Sequence, residues 1–207
     1  MKGVILLNGE PYENLREDSE SLVYCCDGAY LWAKGKIHID ENIGDFDSLS
    51  VLPVPAPREI YPEEKDYTDG EIALHQMIRR GVNEIVFYGA GGKREDHFFG
   101  NVHLLYQAFC RGVKAKIVTN YSEMFFVRGE CVLTGVHGKT VSLLPFFESA
   151  KLAGGKGLHY PIEGVTLRAG ETLGISNRAD TDEVTFTVTE GTVLAFLDHY
   201  KKGENGG

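Results

Sequence analysis

The sequence predicts two units of different class: a doubly wound parallel α/β unit over residues 1–120, then an antiparallel β-sandwich over residues 121–207. Three observations predict it. Up to about Asn120, short apolar runs alternate with helical patterns. Two helical patterns end in the same text, Arg80-Gly81-Val82 and Arg111-Gly112-Val113, each leading into another apolar run. After about Tyr121 the helical period stops, and apolar and polar residues alternate singly.

In order along the chain, residues 3–7, 21–24, 58–61, 84–88 and 115–119 are predicted strands. They do not alternate, as suits a sheet covered on both faces. Residues 68–80 form a predicted helix, with Thr68 and Glu71 at capping-box spacing and Gly81 just past its end. Residues 97–111 form another, with Phe98, Val102, Leu105, Tyr106 and Phe109 at helical spacing and Gly112 as its stop. Helices that return the chain to neighbouring parallel strands make the first unit Rossmann-like. In the second unit Val184, Phe186 and Val188 alternate with threonines. Glu190-Gly191 reads as the turn of a hairpin into residues 192–197, and 124–133, 140–144 and 157–160 are further strands. The polar, glycine-rich tail is expected to fray.

Composition narrows the function. Apolar residues are 43% and charged residues 25%, an ordinary globular mixture. The net charge of −9 argues against a general nucleic-acid or anionic-membrane surface, and leaves room for a phosphorylated ligand carried with a metal ion. Cys25, Cys26, Cys110 and Cys131 contain no C-x-x-C pair, so they are expected as buried thiols in a reducing compartment. Without a leader-like segment or a run of ~20 apolar residues, the expected location is the cytoplasm.

Of eleven aspartates, six fall in four short segments of the first unit: Asp27-Gly28-Ala29; Gly44-Asp45-Phe46-Asp47-Ser48; Lys65-Asp66-Tyr67-Thr68-Asp69; and Arg94-Glu95-Asp96-His97. Each has an ordinary explanation: Asx turns for the first two, helix capping for Thr68 and Asp69, and a solvated pair for Arg94 and Asp96. Their common position beside strands, where a doubly wound sheet gathers its ligand loops, favours a joint role. Carboxylates repel a bare triphosphate by about 1 kcal/mol per charge pair at about 4 Å in water, and by several-fold more in a partly dry cleft. Such a cluster binds nucleotide only with Mg²⁺ between the two, assisted by Lys65 and Arg94. There is no P-loop signature, and residues 89–92 are too short for a dinucleotide fingerprint. His75, His97 and His103 lack metal-ligand spacing and are expected to pack. A Mg²⁺-dependent phosphohydrolase or nucleotidyltransferase using Asp45 and Asp47, or a non-catalytic metabolite sensor, also fits these residues.

In this order and spacing the four segments, with Gly100-Asn101, resemble the thiamin pyrophosphokinase family. The stretches 157–161 and 170–177, the latter ending in Ser176-Asn177, resemble that family's second domain. The resemblance implies a nucleotide-binding catalytic domain and a thiamin-binding β-sandwich. It also implies a homodimer with thiamin near the subunit interface, and transfer of the pyrophosphoryl group of ATP to thiamin. By the same resemblance Asp45, Asp47 and Asp69 hold Mg²⁺, and Lys65 and Arg94 hold phosphates. Asp96 orients the thiamin hydroxyl or accepts its proton, and Ser176 and Asn177 contact thiamin. Asp27, Gly28, Asp66, Thr68, His97 and Asn101 complete the expected ligand-binding set. Lys93 stands where the family usually has Gly, a departure that bears on loop shape and phosphate contacts. With no Trp in the second unit, any stacking on thiamin falls to a Tyr or Phe.

Overall fold

The computed structural model describes residues 1–46, 49–57, 60–62 and 66–201. The chain divides into two compact units, Met1–Asn120 and Tyr121–Gly207.

The first unit holds strands β1 (Lys2–Leu6), β2 (Ser21–Cys26), β3 (Glu41–Ile43), β4 (Glu84–Tyr88) and β5 (Lys114–Val118). All pair in parallel, in the spatial order β5-β4-β1-β2-β3. A 3₁₀ turn (Asp27–Ala29) runs into the short α1 (Tyr30–Ala33), and α2 (Asp69–Arg79) and α3 (Glu95–Cys110) form the later crossovers. Burial on both faces explains the unalternating runs: neighbouring Ile5 and Leu6 are each 0% exposed. Leu6, Val4, Val23 and Cys25 pack with Ala29, Ala33, Ile37 and Ile39 on one face. On the other, Gly3 lets α2 close on the sheet, since a Cβ there would stand 2.7 Å from Met77 Sδ.

One predicted strand is corrected. Ile60 and Tyr61 are not in a strand, and Arg58 and Glu59 lie outside the described residues. The strand beside β2 is instead β3, whose polar text conceals its burial: Glu41 is 4% and Asn42 1% exposed. The Asn42 amide is accommodated by donating to Pro55 O at 2.8 Å.

The second unit holds β6 (Ser122–Thr134), β7 (Lys139–Pro145), β8 (Ala150–Lys156), β9 (Thr166–Leu167), β10 (Asn177–Arg178) and β11 (Glu183–Lys201), all paired antiparallel. The expected hairpin at Glu190-Gly191 is not there. β11 runs straight through, and between Val188 and Val193 its register against β6 shifts by three residues in an irregular bulge. Before the bulge β11 pairs with β8, and after it with β7. The strands thereby form one branched sheet, with β8 and β9 leaving the main path at β11, around a core that Val141, Ala150, Val184 and Val193 share. The strand expected over 157–160 reduces to one bridge, Leu158 to Ala179; the true strand, β8, is disguised by Gly154-Gly155. Among the described residues no helix is long and apolar enough to cross a membrane.

Candidate active site

The strand order reverses between β1 and β4, and loops leaving their carboxyl ends diverge to make a ligand crevice. Just beyond the strands the two segments stay bonded: Gly9 N donates to Gly89 O at 2.7 Å and Glu10 N to Gly91 O at 2.6 Å. Only glycine permits this approach. Gly89 has φ +68, and a Cβ on it would lie 2.2 Å from Leu7 O.

A cleft of about 870 Å³ opens here. Its lining includes Asp27, Asp66, Thr68, Asp69, Arg94, Asp96, His97 and Asn101, so eight of the sequence-predicted residues meet in one place. Gly28 lies just behind them; a Cβ on it would stand 2.4 Å from Asn8 Nδ2. Asp45 is half-buried and does not line this cleft, and Asp47 and Lys65 lie outside the described residues. Among the described residues no three His, Cys, Asp or Glu side chains are gathered closely enough to hold a metal ion.

Local structure sets each carboxylate. Thr68 is extended (φ −70, ψ 158), and its side chain accepts a hydrogen bond from Glu71 N at 3.2 Å, so Asp69 begins α2 at the cleft wall. The reciprocal half of the capping box is not used. Glu71 Oε1 instead accepts from Gln107 Nε2 at 2.9 Å, and Gln107 Oε1 meets His75 Nε2 at 2.7 Å. His75 thus serves packing, whereas His97 and His103 line the cleft. At the start of α3, Arg94 grips Asp96 with two bonds, Nη2 to Oδ2 at 2.7 Å and Nε to Oδ1 at 3.2 Å. Asp96 Oδ1 also accepts from His97 N at 2.9 Å. The Arg94 guanidinium holds the Asp96 carboxyl below the usual carboxylate range, and the carboxylate in turn raises Arg94. Asn101 Nδ2 donates to Ala90 O at 2.7 Å, tying α3 to the loop after β4.

Backbone strain coincides with the motifs. Among the described residues, the non-glycine residues with positive φ are Asp27 (+38), Phe46 (+58), Phe147 (+65) and Ser176 (+62), and all but Phe147 lie in the sequence segments singled out above. In the second unit Asn177 is 7% exposed. Its side chain donates to Tyr160 O at 2.8 Å and accepts from Tyr160 N at 3.0 Å and Arg178 N at 2.8 Å. It therefore shapes the wall of a separate hollow of about 310 Å³, lined largely by apolar residues including Leu143, Tyr160, Ile162, Leu173 and Ile175.

Sequence reasoning missed Asn8, Gly9 and Gln107 as cleft residues, and read Glu71 chiefly as a helix-capping residue. The Asn-Gly pair directly after the first strand is the one local signal that could have found Asn8 and Gly9; Gln107 has none. The expectation of four buried thiols is also corrected, because Cys110 is exposed at the end of α3. Burial, with the nearby Asp27 charge, pushes the Cys25 thiol up, and burial moves Cys131 to about 11.

A parallel β5-β4-β1-β2-β3 sheet with an acidic cleft at its switch point, followed by an antiparallel β unit, defines a class of α/β proteins that take their ligand at the strand ends. Comparison with known proteins then identifies the family. Residues 14–118 match the thiamin pyrophosphokinase catalytic domain, and residues 130–193 match the thiamin pyrophosphokinase vitamin B1 binding domain. The chain belongs to the thiamin pyrophosphokinase family. The thiamine pyrophosphokinase of Bacillus subtilis is 30% identical over 162 residues, covering 74% of this chain and 76% of the relative. The crystal structure of thiamine pyrophosphokinase from Bacillus subtilis covers 96% of this chain and 99% of its own, at 26% identity and a TM-score of 0.84. The thiamin pyrophosphokinase structure from Geobacillus thermodenitrificans covers 97% and 98%, at 26% identity and a TM-score of 0.80.

Proposed function

We propose that the protein transfers the pyrophosphoryl group of ATP to the hydroxyethyl oxygen of thiamin, giving thiamin diphosphate and AMP, as a cytoplasmic homodimer. The observation that carries this reading is the convergence of Asp27, Asp66, Asp69, Arg94 and Asp96 on one cleft at the switch point of a chain in this family. The cleft's charge supports it. Among the described lining residues five carboxylates (Asp27, Asp66, Asp69, Glu71, Asp96) face two full cations (Lys93, Arg94), so a bare triphosphate would be repelled. Carboxylates offer only oxygen, which fits Mg²⁺; Asp69 of the cleft would hold it, with Asp45 and Asp47 from the segment after β3 as the further expected ligands. Bound there, Mg²⁺ supplies charge neutralisation to the transferring group.

The chain's own residues do the rest by positioning. Lys65 and Arg94 hold phosphate oxygens. Asp96, kept ionised by Arg94, accepts a hydrogen bond from the thiamin hydroxyl and aims its oxygen at the β-phosphorus. The Arg94 pair, which holds the Asp96 carboxyl below its usual range, favours orienting the alcohol over deprotonating it. Ser176 and Asn177 shape the thiamin subsite of the second unit.

The test is incubation with ATP, Mg²⁺ and thiamin, followed by chromatography of nucleotides and thiamin species. AMP and thiamin diphosphate should appear together and only when both substrates are present. ADP with thiamin monophosphate would indicate a simple kinase, and ATP consumption without thiamin a hydrolase. Absent turnover with thiamin still raising the Tm would indicate a sensor. Asp45→Asn and Asp47→Asn should each abolish turnover with the fold intact.

A further inference from the structure

We infer that Lys93 is a phosphate-binding residue of the cleft, held ready by Asn8, and that it is the cation most freely available to an incoming polyphosphate. The inference rests on the reading that this cleft takes ATP. Lys93 and Arg94 are the two full cations among its described lining residues, but they are not equally available. Arg94 is committed to Asp96 through bonds of 2.7 and 3.2 Å. While it stays on Asp96 it can offer a phosphate only its remaining N–H groups, and leaving Asp96 would strand that carboxylate beside the phosphate. Lys93 carries no such penalty. Its Nζ donates at 3.1 Å to Asn8 Oδ1, a neutral acceptor, and no carboxylate among the described residues stands within ion-pair distance of it.

Asn8 is a built prop rather than a chance neighbour. It follows β1 at the switch point, in the segment that Gly9 and Glu10 splice to the loop after β4. Its amide nitrogen is packed over Gly28, where a Cβ would come within 2.4 Å. A backbone fixed on both sides therefore presents one carbonyl oxygen to the Lys93 ammonium. A lysine so held exchanges a neutral oxygen for a phosphate oxygen with a small movement of its stem, gaining a charge-assisted bond.

The test compares Lys93→Met, Lys93→Arg and Asn8→Ala with the wild type. Affinities for Mg²⁺-ATP and for inorganic tripolyphosphate are measured by calorimetry, and thiamin turnover is split into kcat and KM. Lys93→Met should weaken both polyphosphates about 10- to 100-fold, flatten the salt dependence of binding, and leave thiamin KM unchanged. Lys93→Arg should retain most of the affinity, and Asn8→Ala should lose an intermediate amount. Both side chains are exposed, so the fold should survive, which the Tm checks. Wild-type polyphosphate affinity in Lys93→Met would overturn the inference even if the enzyme makes thiamin diphosphate. If the wild type makes none but Lys93→Met still loses tripolyphosphate, the binding role holds and the proposed reaction fails.

Discussion

Gly89→Ala should unfold the first unit far more easily than its small added volume suggests. Two costs add. Alanine at φ +68 is left-handed backbone, costing about 1–2 kcal/mol. The new Cβ would also sit 2.2 Å from Leu7 O and 2.9 Å from Trp32 Cζ2. The first contact is backbone, and it cannot swing aside, because Leu7 N is bonded to Tyr88 O at 2.9 Å and Gly9 N to Gly89 O at 2.7 Å. Overpacking of this kind adds about 1–3 kcal/mol, for a total of roughly 2–5 kcal/mol. Gly112→Ala is the control: its φ is +73 but no atom stands within 4 Å of the new Cβ, so only the conformational cost remains. Urea unfolding followed by Trp fluorescence reads the first unit selectively, because the sole Trp is Trp32, whose Nε1 donates to Leu7 O at 3.3 Å. At a slope near 2 kcal/mol/M, a loss of about 3 kcal/mol moves the midpoint by roughly 1.5 M. Equal midpoint shifts in the two variants would refute the steric argument. Gly89→Ala should also cost activity, since it spreads the two loops that floor the cleft.

Asp96→Asn should lower kcat by about 100-fold through lost orientation of the alcohol while ATP affinity stays within about twofold, and with Asp96 65% exposed the Tm should not move. Because Arg94 lowers the folded pKa of Asp96, the ion pair persists above the ordinary carboxylate value of 3.8 and is lost only as pH falls further. The kcat profile should therefore show no Asp96 ionisation between about pH 5 and 8, and a step there that vanishes in Asp96→Asn would contradict the assignment. Thr68→Ala should cost about 1 kcal/mol of first-unit stability and reduce kcat/KM by loosening Asp69, with Thr68→Ser restoring both. An aromatic disulfide reagent near neutral pH should label Cys110 rapidly and leave Cys25, Cys26 and Cys131 protected until the protein unfolds, as counted by mass spectrometry.

Local chemistry was written plainly in the chain. Unalternating runs such as the one around Val4 and Ile5 announce strands covered on both faces. Thr68 announces its helix start through a bond that spans three residues. The acidic segments were legible because turn and cap residues act on their own backbone. What stayed hidden depends on partners distant in sequence. Glu41 and Asn42 look like loop residues, and only the pairing of β3 with β2 buries them. Glu190-Gly191 has the text of a turn, yet β6 on one side and β8, then β7, on the other hold the strand open through a bulge. Asn8 and Lys93 are 85 positions apart and meet because β1 and β4 are neighbours in the sheet. Side-chain periodicity reports which face of an element is buried, but strand order is a choice among tertiary pairings. The sequence by itself therefore determined the acidic residues and those elements whose pattern is local, such as β1, β4, α2 and α3. The tertiary structure alone decided which of them share a cleft.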